Sequence, residues 1–452
     1  MKKRSATAIG AGLVTVALAL TGCSAGGGSA SSGGSSTLTA SQVTKAMNTP
    51  TTISVWTWVP GLDNEVAAFE KKYPKIKVDV VNAGQGGTEY TKLEAAIQAG
   101  KGAPDVVQLE YSELPSIRVT NSLLDLTPFG ATSIKSKFTS GAWANVASNG
   151  GVWGVPQDQG PMTFMFRKDI LAKAGITSAP ATWAEFMQDA KTVKAKTGAS
   201  LADFGPTDPE QIVGMMQQAG AAPFAYDGKK TVTINLTGSK IKQVADYLTQ
   251  LFQSGGVSTD PAWTNDWYQA FAKGDYAGWV VGAWGPEDLM GSAANTSGDW
   301  TAAPLPQWSA GQDSGGNWGG SADAVMKTSK NPIPAYEFIK FLNSDPASVS
   351  QLTLNPKSAL FPTTLSVLNS SSFQDQKVAF FGGQKANQTF AAISKTVSPN
   401  FQYLPFWNYA QTAWGDTVGK AITAHTDIYS AIQKWQTVLV NYAKQQGFTV
   451  KQ

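Results

Sequence analysis

The chain has 452 residues, 42% hydrophobic and 15% charged, which suffices for two or three domains with a sizeable core and excludes general disorder. The formal charge is +3 from 35 basic and 32 acidic residues; setting aside Lys2, Lys3 and Arg4 with a leader leaves 32 of each, so the chain lacks the basic face a nucleic-acid binder needs. A single cysteine, Cys23, and a single histidine, His425, exclude an internal disulfide, a Cys/His zinc site and a cysteine–histidine catalytic pair, and the sequence calls for no metal and no cofactor.

Met1 to Arg4 carry three positive charges, and Ser5 to Leu20 are small or apolar, as in a secretory signal. The apolar stretch is too short for a membrane span. Leu20-Thr21-Gly22-Cys23 resembles the lipobox of bacterial lipoproteins, so residues 1–22 are expected to be removed and Cys23 to carry the lipid. Gly, Ser and Ala then dominate Ser24 to Ser41, and residues 23–50 are expected to form a flexible tether. The expected location is therefore the outer face of the bacterial cell membrane.

The body alternates strands and helices. Thr52 to Val59 predicts a strand, Asp63 to Tyr73 a helix, Ile76 to Val81 a strand, Tyr90 to Gln98 a helix stopped by Gly100, and Asp105 to Leu109 a third strand. This spacing predicts right-handed crossovers and a mainly parallel sheet, with ligands beyond the carboxyl ends of the strands. A second body begins near Gly160. Thr182 to Glu185 forms a capping box opening a helix that ends at Gly198; Gln243 to Phe252, Pro334 to Asn343 and Asp427 to Gln446 follow as helices. The stripe Ile428, Ile432, Trp435, Leu439 and Tyr442 is read as core, and His425 as a solvated loop residue or helix cap.

Ile53-Ser54-Val55-Trp56 before Phe69 to Pro74, Gly102 to Val107, Ser122 to Thr127, Gly154-Val155-Pro156 before Phe166 to Ile170, Phe271 to Ala277, Gly282-Ala283-Trp284 and Ala335 to Leu342 stand in one order along the chain. Together they resemble the family 1 extracellular solute-binding proteins of ATP-binding-cassette importers, the group that includes maltose-binding protein. The resemblance implies an α/β fold of two mainly parallel-sheet lobes with the ligand cleft between them, a monomer that closes by hinge motion and delivers an oligosaccharide to membrane permease subunits, and no enzyme. It implies an N-terminal lobe of residues 51–158 and 306–365 and a C-terminal lobe of 159–305 and 366–452. Crossings are expected near Gln157 to Pro161, Leu305 to Gln307 and Phe361 to Leu368.

Composition agrees with a neutral sugar. There are 15 Trp, 12 Tyr and 20 Phe, but beyond the leader only Arg118 and Arg167 among arginines. Aromatic planes receive the C–H face of a pyranose, and carboxylates and amides receive its hydroxyl rim. The expected ligand residues are Trp58, Glu110, Tyr111, Asp158, Gln159, Trp284, Asn317, Trp318 and Trp407. Trp407 is included because it resembles a family tryptophan that stacks on sugar. Trp263, Trp267 and Trp279 are left open, and Trp143, Trp153, Trp183, Trp300, Trp308 and Trp414 are read as structural. Two alternatives stand beside the sugar reading: a same-fold binder of a polyamine or peptide, and a secreted glycoside hydrolase using Glu110 and Asp158.

Overall fold

The computed structural model describes residues 37–84, 86–354 and 360–452, so the leader, Cys23 and the tether as far as residue 36 lie outside the described residues. The β-branched runs of the first half become a five-stranded sheet. Thr51–Trp56 pairs in parallel with Ile76–Val81 on one side and Val106–Glu110 on the other; Ser321–Val325 then joins antiparallel, and Val155–Pro156 closes the edge. The intervening helices are Asp63–Lys72 and Gly87–Ala99, the second ended by Gly100 at φ 64°. Pro332–Ser344 packs against the same sheet and carries Ala335, Phe338, Ile339 and Leu342 into its core.

The last part of the segment 23–50, expected to be a flexible tether, is structured. Ala40–Met47 is a helix with a complete capping box between Thr39 and Gln42, and it packs on Pro332–Ser344 through the buried Met47. Residues 40–47 of the expected tether are therefore helical.

The second half departs from the mainly parallel expectation. Met162–Arg167 lies between Gly278–Gly282 and Trp300–Pro304, antiparallel to both. The crossover rule governs a strand–helix–strand unit, whereas the stretch between the first two of these strands holds several helices and a hairpin, so the chain is free to return from either end. That hairpin, Phe224–Tyr226 with Thr231–Ile234, gains a parallel third strand from Thr449–Lys451. Trp183–Thr197 starts at the predicted capping box and ends at Gly198, φ 79°. Ser239–Gln253 and Ile428–Gln445 pack on each other, and Ile428, Ile432, Trp435 and Leu439 are fully buried.

Residues 157–161 lead from the first sheet into the second half, with Asp158 opposite Pro362 and Pro161 opposite Asn317. The return is later than expected: Gln307 still pairs with Thr182 of the second half, and only at Asn317, opposite Pro161, and at Gly320, whose carbonyl accepts from Tyr111 N–H, does the chain rejoin the first sheet. Pro362 pairs with Asp158 and forms the third strand of the crossing. These segments touch closely enough to require glycine. A Cβ on Gly160 would overlap the Trp318 carbonyl, and one on Gly320, at φ 98°, would meet the Tyr111 ring and the Asp158 carbonyl.

Candidate functional site

The first and third strands stop at Trp56 and Glu110, and beyond their carboxyl ends a cavity of about 560 Å³ opens between the halves. Trp58 and Glu110 reach it from the first sheet, Asp158 and Trp318 to Ser321 from the crossing, and Asp208, Glu210, Trp263, Tyr268, Trp284, Glu287 and Asp288 from the second half; Leu360 and Gln411 complete the rim. Gly86 also lines it, which places the end of the glycine-rich loop after the second strand at the cavity.

Five aromatic rings supply the apolar walls: Trp58, Trp263, Tyr268, Trp284 and Trp318. The Trp284 and Trp318 rings stand 5.2 Å apart, edge to face, and the Trp284 indole N–H donates to the Trp318 carbonyl at 2.7 Å. Trp263 lies 6.0 Å from both rings and is itself 41% exposed. Its backbone adopts φ 69°, a left-handed conformation unusual for a bulky residue, so the structure around it holds a strained loop with an open indole at the cavity.

Six carboxylates make the polar face, and neutral donors hold four of them. The Tyr90 hydroxyl donates to Glu110 Oε2 at 3.0 Å, and Ser321 Oγ donates to Asp158. Asp208 Oδ1 accepts from Glu210 N–H at 2.8 Å, and the Trp263 and Trp318 side chains favour its charged form. Glu210 accepts from Trp407 Nε1 at 3.2 Å, Gly319 N–H at 3.2 Å and the Tyr403 hydroxyl at 3.4 Å. Trp58 is fixed through its backbone N–H to Gln108 Oε1, and Gln108 Nε2 donates in turn to Ser321 Oγ, the group that holds Asp158. No lysine, arginine or histidine is among the described residues lining the cavity.

That composition shifts titration upward. Burial, with Asp208 and Asp158 adding repulsion, pushes Glu110 up to about 6 although Tyr90 opposes it. Burial pushes Asp288 up to about 6 and raises Asp158, Asp208 and Glu287. Glu210 is raised well above the carboxylate range by burial and by the charges of Asp208 and Glu110.

Of the nine expected ligand residues, Trp58, Glu110, Asp158, Trp284 and Trp318 line the cavity. The other four do not, and each has another task. Tyr111 is 1% exposed and packs behind the site against the crossing. Gln159 Oε1 accepts from the Thr139 hydroxyl while its Nε2 donates to the Pro362 carbonyl, so it ties crossing strands together. Asn317 does the same, accepting from Gly160 N–H and donating to the Gly319 carbonyl. Trp407 is completely buried, edge-on to Phe224 and Tyr403, and presents only its N–H, to Glu210; it supports a cavity carboxylate instead of offering a stacking face. Among the tryptophans left open, Trp263 lines the cavity, whereas Trp267 and Trp279 are buried beneath it. Asp208, Glu210, Tyr268, Glu287 and Gln411 were not anticipated. Tyr268 alone had a signal: it follows the buried Trp267 on the helix Asn265–Lys273, and neighbours on a helix face different sides.

A family model for bacterial extracellular solute-binding proteins matches residues 56–349. The structure resembles that of a binding protein associated with an ABC transporter of B. animalis subsp. lactis, solved with β-1,6-galactobiose: TM-score 0.77, 33% identity, covering 90% of this chain and all of that one. It resembles equally the galacto-N-biose/lacto-N-biose I-binding protein of Bifidobacterium longum, solved with lacto-N-biose: TM-score 0.77, 27% identity, covering 89% and 99%. In sequence, a lactose-binding protein of Rhizobium radiobacter is 27% identical over 80% of this chain and 86% of its own length.

Proposed function

This chain belongs to the bacterial extracellular solute-binding proteins, and we propose that it captures a neutral oligosaccharide between its two halves and hands it to the permease of an ATP-binding-cassette importer. The observation that carries the reading is the cavity wall: five aromatic rings and six carboxylates contributed from both halves, with no basic side chain facing them among the described residues. Indole faces receive pyranose C–H groups, and carboxylates accept from hydroxyls. Because both halves contribute, a bound sugar gains contacts only when they close, which is the differential binding that a conformational change requires. The galactose-containing disaccharides held by the two similar structures make β-1,6-galactobiose and lacto-N-biose the first ligands to test.

The same carboxylates favour a second reading, a cationic solute such as a polyamine, since ammonium groups would neutralise them. Calorimetric titration with β-1,6-galactobiose, lacto-N-biose, lactose, spermidine and putrescine separates the two. Saturable binding of a sugar and none of an amine supports the first reading, and the reverse pattern replaces it. The chain acts as a binder and not a glycoside hydrolase, so incubation with its sugar is expected to release no new reducing ends. The lipid anchor at Cys23 is supported by Leu20 to Cys23 alone, and Cys23→Ser is expected to move the protein from the membrane to the soluble fraction. Among the described residues no helix is long and apolar enough to cross a membrane.

A further inference from the structure

One of the two arginines of the body is spent away from the ligand cavity. Arg118 stands in the last turn of the short helix Leu114–Val119, which follows the third strand just past Glu110. Its guanidinium stacks over the Trp153 ring at 4.4 Å and donates to Ser148 Oγ; Ser148 lies in, and Trp153 directly follows, a two-stranded ribbon that Leu126 ties to the first half through its N–H to the Val152 carbonyl. The other side of the guanidinium faces the second half. Tyr226, in the hairpin strand Phe224–Tyr226, lies 5.8 Å away, and a Cβ built on Gly228 at the hairpin turn, φ 72°, would overlap the guanidinium. The turn is thus shaped to bring bare backbone against the arginine.

A second contact between the halves runs alongside, where Asn408 Nδ2 donates to Glu113 Oε2 at 3.2 Å. The two contacts flank a cavity of about 30 Å³, lined by Tyr111, Pro115, Arg118, Tyr226 and Tyr403 among others. A space of that size holds about one water. Tyr403 and Glu210, in hydrogen-bond contact, stand between this cavity and the ligand cavity, and neither Arg118 nor Tyr226 lines the latter.

We propose that Arg118 is a positioning residue: clasped between Trp153 of the first half and Tyr226 and Gly228 of the second, it holds the halves closed and so sets ligand affinity without touching the ligand. This rests on the reading that solute is captured by closure. A cation over an aromatic face is favourable, more so when desolvated, and burial indeed lowers the pKa of this arginine. The contact exists only when the halves meet, so it biases the closed state and slows release without helping the ligand to find the open cleft.

The test compares the unmodified protein with Arg118→Ala, Arg118→Lys, Tyr226→Leu, Gly228→Ala and the Arg118→Ala/Tyr226→Leu double variant. Stopped-flow tryptophan fluorescence with β-1,6-galactobiose gives association and dissociation rates, and small-angle scattering gives the ligand-free radius of gyration. Arg118→Ala is expected to dissociate about 3- to 30-fold faster with an association rate within about twofold. Gly228→Ala is expected to match it by displacing the guanidinium, Arg118→Lys to fall between, and the double variant to be no worse than Arg118→Ala alone. The ligand-free radius of gyration is expected to rise in Arg118→Ala, a readout that needs no ligand. Unchanged dissociation and radius in both Arg118→Ala and Gly228→Ala, or strictly additive effects of Arg118→Ala and Tyr226→Leu, would overturn the clasp. Failure of the unmodified protein to bind any sugar would overturn the carbohydrate reading instead, while the scattering result would still decide the clasp.

Discussion

Replacing Trp284 by alanine removes the centre of the aromatic wall. The ring lies 5.2 Å from Trp318, 5.7 Å from Trp279 and 6.0 Å from Trp263, so it is both a surface for ligand and the spacer that keeps its neighbours apart. Its N–H also holds the Trp318 carbonyl at the crossing, close above Gly160. A well-packed aromatic anchor at a binding site contributes about 2–4 kcal/mol, which corresponds to a dissociation constant raised roughly 30- to 1000-fold. Trp284→Phe keeps a ring but loses the donor, and is expected to cost about 0.5–1.5 kcal/mol, or roughly 2- to 13-fold. Isothermal titration with β-1,6-galactobiose measures both, and thermal unfolding without ligand checks that the fold survives. A Trp284→Ala protein that unfolds normally and binds with unaltered affinity would refute the assignment of this wall to the ligand.

Trp407→Ala should behave differently, because its ring is buried and not at the cavity. Truncating a buried tryptophan costs about 3–5 kcal/mol of stability, so denaturant unfolding is expected to shift strongly, whereas Trp407→Phe should unfold nearly normally but bind more weakly through the loosened Glu210. Gly320→Ala adds a methyl at φ 98° against the Tyr111 ring and the Asp158 carbonyl; a drop of about 1–3 kcal/mol in stability with weaker ligand binding is expected in chemical unfolding and titration. Stability should also fall as pH rises. Carboxyls whose folded pKa exceeds the unfolded value favour folding fully below the unfolded value and lose that contribution through the folded one, here near 6 for Glu110 and Asp288 and near 8 for Glu89 and Glu113. The unfolding midpoint at pH 5.5 is therefore expected to exceed that at pH 8.5, and Glu113→Gln should flatten the upper part of the difference.

The first sheet was legible because each of its first three strands is a short β-branched run followed by a turn signal. The rule that ligands gather beyond the carboxyl ends of such strands pointed to Trp58, Glu110 and Tyr111, of which Trp58 and Glu110 line the cavity and Tyr111 packs behind it. The helix Ala40–Met47 was legible too, in Thr39 and Gln42 at capping-box spacing, but the glycine and serine preceding it masked the signal. Asp208 and Glu210 were not. They flank Pro209 where a loop turns into the helix Glu210–Gln218, with no periodicity to mark them, and only the meeting of the halves brings them to Glu110. Trp407 shows the converse limit. A tryptophan at a helix start reads the same whether its face or its edge meets the cavity, and the distinction depends on Phe224 and Tyr403, both remote in sequence.

The most direct measurement is a crystal structure of the protein with β-1,6-galactobiose bound. The expected result is a pyranose lying flat on one of the indoles of Trp58, Trp263, Trp284 or Trp318, its hydroxyls donating to Glu110, Asp158 or Asp208. Sugar found instead in the broad groove between Lys194 and His425 on the second half, with these rings bare, would contradict it.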